Sequence, residues 1–139
     1  MNWLTWSLLS ALFAGLTAIL AKVGVSGVDS NLATAVRTGV VLVFAWIVAL
    51  ATGPTGAVLT LSKRTWFFLV LSGIATGLSW LCYFRALQLG EASKVAPIDK
   101  LSVVFVLILA AVFLHETLTL KTVVGGTLIA AGAVVLALK

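Results

Sequence analysis

The stretch TWFFLVLSGIATGLSWLCYF, residues 65–84, decides the fold, because it is a long run of residues without a charged side chain. A helix rises about 1.5 Å per residue, so such a run covers about 30 Å, the thickness of the hydrocarbon layer of a bilayer. The 139 residues are 62% hydrophobic and 9% charged, whereas a soluble domain averages roughly 45–50% and 25%. We therefore predict an all-α integral membrane protein and exclude a soluble domain.

Apolar stretches and the breaks between them predict five transmembrane helices in one domain over residues 1–139. An odd number of spans places the N- and C-termini on opposite faces of the membrane. The predicted spans are residues 3–21, 32–52, 65–89, 94–114 and 122–138.

Residues at the ends of these stretches predict how the helices begin and end. Ser30 or Asn31 is expected to cap the second helix, and Gly90 to end the third. Ser93 is the expected cap of the fourth helix. Pro97 then falls in the first turn, where proline is tolerated, so this helix is expected to continue unbroken to Leu114.

The charge pattern and the chemistry-bearing residues exclude several classes of function. The formal net charge is +5, but the basic residues are scattered singly, which argues against a nucleic-acid partner. Cys82 is the single cysteine, so it has no disulfide partner within the chain. No nucleophile with a base, metal-spaced cluster or glycine-rich phosphate loop is present. We expect neither an enzyme nor a metal or cofactor site.

Lysine and arginine are balanced between the two faces of the predicted bundle. One face carries Lys63, Arg64 and Lys121, and the other carries Lys22, Lys94 and Lys139. Orientation in a membrane follows an imbalance of these residues in short loops. Two outcomes stay open: the chain inserts in both orientations, or the embedded cations fix one orientation.

Four ionisable residues fall inside the predicted spans near one membrane face: Arg37, Arg85, Asp99 and Lys100. Embedded charges are costly and usually face a protein interior or a watery cavity. Three cations with one carboxylate make the cluster net positive, and guanidinium groups bind carboxylate or phosphate bidentately. The cluster predicts a binding site for a small anionic or zwitterionic metabolite, with Trp80 as an apolar or stacking wall.

Structural interpretations of the same residues stay open beside this one. Arg37 and Arg85 are long enough to snorkel to the interface. Asp99 would serve folding if it only neutralised one of these arginines, and Trp80 would be an ordinary packing residue.

Small residues indicate where helices approach closely. Gly73 and Gly77 form a GxxxG pair in the third span, and Gly126 with Ala130 forms a similar ridge in the fifth. Such ridges let helix backbones pack closely in lipid. They predict that two copies of the chain associate through these faces.

Three stretches carry a resemblance to a known family. They are YFRALQLGEASKVAPIDKLS, residues 83–102, FLHETLT, residues 113–119, and GGTLIAAG, residues 125–132. The chain resembles the EamA domain of the drug/metabolite transporter superfamily over essentially its whole length. The matching positions are Ala86, Leu87, Gly90, Ala92, Ser93, Ala96, Pro97, Glu116, Leu118 and Thr119, and Arg37 fits an arginine often seen in the second helix.

This resemblance implies transport of a small molecule by alternating access between paired units of opposite orientation, in the cell inner membrane. Most relatives carry two such domains in tandem, whereas this chain has one and is similar to the five-helix branch. The resemblance therefore implies a homodimer, which the balanced lysines and arginines would allow to be antiparallel. Two alternatives remain: a lipid-carrier flippase subunit, and a non-transporting membrane assembly protein.

Overall fold

The computed structural model describes residues 2–53 and 55–138. Met1, Pro54 and Lys139 lie outside the described residues, although the predicted domain includes them and the charge balance counts Lys139. The described residues form helices and no strand, which confirms the all-α prediction. The α-helices are α1 (Trp3–Gly24), α2 (Ser30–Thr52), α3 (Lys63–Leu89), α4 (Ala92–Asp99), α5 (Ser102–Phe113) and α6 (Leu120–Ala137), with a 3₁₀ helix at Thr55–Thr60.

Five helical stretches of the described chain are long and apolar enough to cross a membrane, as the sequence predicts. They are α1, α2, α3, the pair α4 and α5, and α6. Their ends differ from the predicted ends by a turn of helix or less, which is the usual uncertainty of helix boundaries. At most 11% of the residues in the most apolar part of any span are buried within the chain. Most apolar side chains therefore face outward, which suits a lipid environment.

The structure corrects the predicted helix caps. The carboxylate of Asp29, not Ser30 or Asn31, caps α2 by accepting hydrogen bonds from the N–H groups of Asn31 and Leu32. The reason is that Asp29 precedes the helix with a non-helical backbone, whereas Ser30 is already helical. Glu91, not Ser93, is the residue before α4, and its side chain makes no capping bond.

Gly90 follows Leu89, the last residue of α3, directly, as expected for a residue that ends this helix. Among the described glycines, Gly27 has the positive φ, at 75°. Gly27 lies between α1 and α2, so the glycine that the chain needs for a tight turn is in that loop.

The fourth span is broken, which corrects the prediction of a continuous helix. Pro97 is not in the first turn of α4 but in its interior, and α4 ends two residues later at Asp99. Proline lacks the N–H that an interior position would donate, and its ring clashes with the preceding turn. The backbone N–H groups of Lys100 and Leu101 reach back only three residues, to the carbonyls of Pro97 and Ile98. A tighter turn therefore separates α4 from α5.

The chain divides into two compact units. The central unit comprises residues 21–88, and the terminal unit comprises the residues before 21 and those from 89 onward. In the terminal unit α6 packs against both α4 and α5. Gly126 of α6 is buried, and a Cβ placed on it would lie 2.8 Å from Cδ1 of Leu107. In this unit, Gly126 therefore serves close packing of α6 on α5.

Candidate functional site

Arg37 lies in the central unit with its guanidinium group over aromatic rings. Its Cζ is 4.2 Å from the ring centroid of Trp80 and 5.5 Å from that of Phe84. Trp80 and Phe84 are four residues apart on α3, so they share one face of that helix. Trp80 is half-buried, and Phe84 is only 3% exposed. Together, the two rings hold the guanidinium group against α3.

The charge of Arg37 is compensated by ring faces and not by a carboxylate. In residues 2–53 and 55–138, the ion pairs are Lys94 with Glu91 and Lys100 with Asp99, and neither involves Arg37. A cation over an aromatic face gains about 2 kcal/mol when it is withdrawn from water. A guanidinium group has five N–H donors, and the contacts described for Arg37 are with ring faces, which are not hydrogen-bond acceptors of the carboxylate kind. The group can therefore still bind an anion.

Arg85 lies at the end of α3 in a chain of polar contacts. Its Nη1 donates to Oε1 of Gln88 at 2.9 Å, and Nε2 of Gln88 donates to the carbonyl oxygen of Val28 at 2.5 Å. These bonds tie the end of α3 to the loop between α1 and α2. Arg85 is an exposed residue, and this bond uses one of its five N–H donors.

Lys22 also lies in this region, although the sequence does not predict it as a site residue. Its Nζ donates to the backbone carbonyl of Leu87 at 2.5 Å. The last four carbonyls of a helix have no partner within the helix, and a cation is favoured at that end. Lys22 thus binds the carboxyl end of α3 at Leu87, which lies between Arg85 and Gln88 in the sequence. Neither the run of residues around Lys22 nor its spacing indicates this contact, because Lys22 and Leu87 are far apart in the chain.

A cavity of about 410 Å³ lies between these groups in the central unit. Its described lining is Lys22, Val25, Ser26, Gly27, Arg85, Leu87 and Gln88. The lining contains two cationic side chains and an amide, and none of these residues carries a carboxylate. We call this the Lys22–Arg85 cavity.

The height of these groups in the membrane follows from α3. Arg64 and Arg85 are 21 residues apart with no charge between them, which corresponds to about 32 Å of helix. That length matches the hydrocarbon layer of about 30 Å, so a helix that crosses the bilayer upright would carry the two arginines at its two borders. Trp80 is five residues before Arg85, so it lies about 7.5 Å along α3 from Arg85, toward the middle of the hydrocarbon layer. In that orientation the Lys22–Arg85 cavity would be interfacial, and Arg37 with its aromatic rings would lie deeper.

Asp99 and Lys100 belong to the terminal unit, at the break between α4 and α5. Nζ of Lys100 lies 3.3 Å from Oδ2 of Asp99, with 55% and 37% of the two side chains exposed. The structure therefore pairs Asp99 with its chain neighbour. Of the predicted site residues, it brings Arg37 together with Trp80, places Arg85 one turn further along α3, and pairs Asp99 with Lys100. In the described residues no group of three His, Cys, Asp or Glu side chains is arranged to hold a metal ion.

Five apolar helices that are long enough to cross a membrane, with cations inside the spans, define a polytopic membrane protein. Residues 1–138 match the EamA-like transporter family, and the chain belongs to this family. It is thus a member of a membrane transporter family, as the resemblance implied.

Two relatives are named as transporters without an assigned substrate. The chain is 52% identical over 136 residues to the "Uncharacterized transporter in cobO 3'region" of Sinorhizobium sp, covering 98% of this chain and 96% of that protein. It is 33% identical over 113 residues to the "Uncharacterized transporter YvbV" of Bacillus subtilis, covering 81% of this chain and 37% of that protein. The Bacillus protein is thus more than twice as long as this chain. No solved structure matches the chain significantly.

Proposed function

We propose that the protein transports a small anionic or zwitterionic metabolite across the cell inner membrane by alternating access. The observation that carries this proposal is Arg37, an arginine inside a membrane span whose charge is held by the rings of Trp80 and Phe84. An embedded cation is costly, and an ionisable residue inside a membrane span is therefore a candidate functional residue. A ligand carboxylate or phosphate would supply the charge that the described chain does not.

Arg85 in the central unit and the pair of Asp99 and Lys100 in the terminal unit are the remaining residues of the proposed function. With α3 upright, Arg85 would lie at the membrane border in the Lys22–Arg85 cavity, where it would meet an anion before Arg37 does. Asp99 and Lys100 lie where the fourth span is broken. Broken spans with charged residues at the break are typical of substrate and ion sites in transporters, so we assign this pair to lining or gating of the path.

We propose further that the working form is a homodimer, with the two copies in opposite orientations. Transporter sites commonly form between inverted repeats, and one copy of this domain supplies half of such a pair. The length of the Bacillus relative, more than twice that of this chain, supports pairing, because it would accommodate two such units. Gly73 and Gly77 have open space where a Cβ would be, so a partner helix would approach there. The sequence also predicts Gly126 and Ala130 as part of the dimer contact, but Gly126 is buried against Leu107 within the chain.

The test has two stages. Purified protein is first screened by thermal shift against amino acids, carboxylates, phosphorylated metabolites and organic cations, because a ligand that binds the folded state raises its apparent stability. Compounds that stabilise the protein are then offered, radiolabelled, to proteoliposomes that contain the wild type, Arg37→Gln, Arg85→Gln or the control Arg64→Gln. Arg64 lies at the other end of α3, also near a ring, with its Cζ 5.9 Å from the centroid of Phe68.

We expect anions or zwitterions to stabilise the wild type, and uptake to fall at least about tenfold in Arg37→Gln while Arg64→Gln stays near the wild type. Stabilisation by organic cations only would overturn the proposed substrate class. Folded Arg37→Gln protein with full uptake would overturn the role of Arg37.

A further inference from the structure

We propose that the Lys22–Arg85 cavity is a phosphate-binding site at the membrane border. The inference deepens the proposed function and rests on it, because it names the chemical group that Arg85 recognises. The cavity joins Lys22 from the end of α1, the loop after it, and Arg85 with Gln88 from the end of α3. Lys22 and Gln88 have no part in the predicted cluster, so the site is wider than the sequence indicates.

The donors in the cavity suit phosphate. Arg85 offers a planar fork, which binds phosphate bidentately, and Lys22, which is bonded to the carbonyl of Leu87, adds a compact positive charge to the cavity wall. The bond from Arg85 to Gln88 fixes the guanidinium group on one side and leaves its other N–H groups for a ligand. Gln88 is itself fixed by its bond to the carbonyl of Val28, so the fork is positioned before a ligand arrives.

Charge and size also favour this ligand. The described lining contains two cations and no carboxylate, and a phosphomonoester carries a charge of about −1.5 to −2 near neutral pH. A cavity of about 410 Å³ is within the usual range for small-molecule sites, about 300–1,000 Å³. It therefore has room for a phosphate group with a small organic substituent.

The position of the cavity leaves two sources for the phosphate. With α3 upright, Arg64 and Arg85 would mark the borders of the hydrocarbon layer, and the cavity would lie at the height of lipid headgroups. A soluble phosphomonoester would enter from water, and a phospholipid would enter from the bilayer. Both sources use the same donors, and an experiment can distinguish them.

The experiment measures binding and not transport, so its failure is distinguishable from failure of the proposed function. Protein in neutral detergent is titrated with glycerol 3-phosphate, against sodium chloride of equal ionic strength, and thermal unfolding is followed. In parallel, retention of phosphatidylglycerol over phosphatidylcholine is measured by native mass spectrometry. The variants are Arg85→Gln, Arg85→Lys and Gln88→Glu, with Lys94→Gln as the control, because Lys94 lies on α4 and pairs with Glu91.

We expect one of the two probes to bind the wild type and Lys94→Gln alike. Arg85→Gln should weaken that binding at least about tenfold, Arg85→Lys should weaken it less, and Gln88→Glu should abolish it by placing a carboxylate in the cavity. Binding of glycerol 3-phosphate assigns a soluble source, and selective retention of phosphatidylglycerol assigns a lipid source. The inference is overturned if the wild type binds neither glycerol 3-phosphate nor phosphatidylglycerol. It is also overturned if the wild type and folded Gln88→Glu bind a probe equally. Gln88→Glu also tests the inference if Arg85→Gln does not fold.

Discussion

The guanidinium carbon of Arg37 lies 4.2 Å from the ring centroid of Trp80. Arg37 is on α2 and Trp80 on α3, and the contact joins the two spans within the central unit. It explains how an arginine can remain inside a span without a carboxylate beside it. The ring face supplies partial negative charge where water is scarce.

This contact predicts energetic coupling between the two residues. In a double-mutant cycle of Arg37→Gln and Trp80→Leu, we expect a coupling of about 1–2 kcal/mol in the free energy of unfolding. The measurement is reversible unfolding in detergent. Trp66→Leu is the matched control, because Trp66 lies on the same helix and is 47% exposed; its coupling to Arg37 should be near zero. Equal coupling for both tryptophans would contradict the assignment.

The cap of α2 predicts a difference between neighbouring polar residues. Asp29→Ala should lower the free energy of unfolding by about 1 kcal/mol, because two backbone N–H groups lose their acceptor. Asp29→Asn should be close to the wild type, since asparagine caps equally well. Asn31→Ala serves as the control, because its side chain is not the cap. A larger loss in Asn31→Ala than in Asp29→Ala would show that the cap is assigned to the wrong residue.

Close packing at Gly126 predicts a dependence on side-chain size. Gly126→Ala should be tolerated, because the nearest atom is the mobile end of Leu107, 2.8 Å from the new Cβ. Gly126→Phe should cost about 1–3 kcal/mol or more, as overpacking does. Gly125→Phe is the control, since no atom lies within 4 Å of its Cβ position. Thermal unfolding of the three variants checks this, and a stable Gly126→Phe would contradict the packing.

The break in the fourth span predicts the effect of removing its proline. Pro97→Ala restores a backbone N–H that can bond to the carbonyl of Ser93 and removes the ring clash with that turn, so we expect thermal stability to rise. Uptake of a substrate found by the screen should fall, because a straighter helix would displace Asp99 and Lys100. Ala96→Gly is a control for altered helix propensity beside the break. Unchanged uptake by a more stable Pro97→Ala protein would show that the proline and the break after it are not needed for transport.

The balance of lysine and arginine predicts how orientation responds to mutation. Reporter fusions at each terminus should detect both orientations of the wild type. Replacing Lys63 and Arg64 by alanine leaves more positive charge on the opposite face, so one orientation should then dominate. Exchanging these two residues with each other preserves the charge and is the control. A wild type found in one orientation only would contradict the antiparallel dimer.

The sequence was sufficient to predict the helical class and the five spans, because the cost of burying backbone polar groups in lipid leaves few structures for long apolar runs. It also singled out Arg37, since a charge in such a run is visible without knowledge of its neighbours. The break after Asp99 was missed, because the predicted start of the helix placed Pro97 in a tolerated turn and no other residue there is a helix breaker.

Contacts between distant residues were decided by tertiary structure. The sequence suggested Trp80 as a wall, but only folding brings its ring to Arg37. Likewise, Lys22 carries no local sign that it binds the carbonyl of Leu87 and borders a cavity with Arg85. Apolar periodicity records which residues prefer lipid, but it does not record which helix faces meet. Local sequence therefore determined where the chain crosses the membrane, and contacts of α2, α3 and the last residues of α1 within the central unit determined which cations share a site.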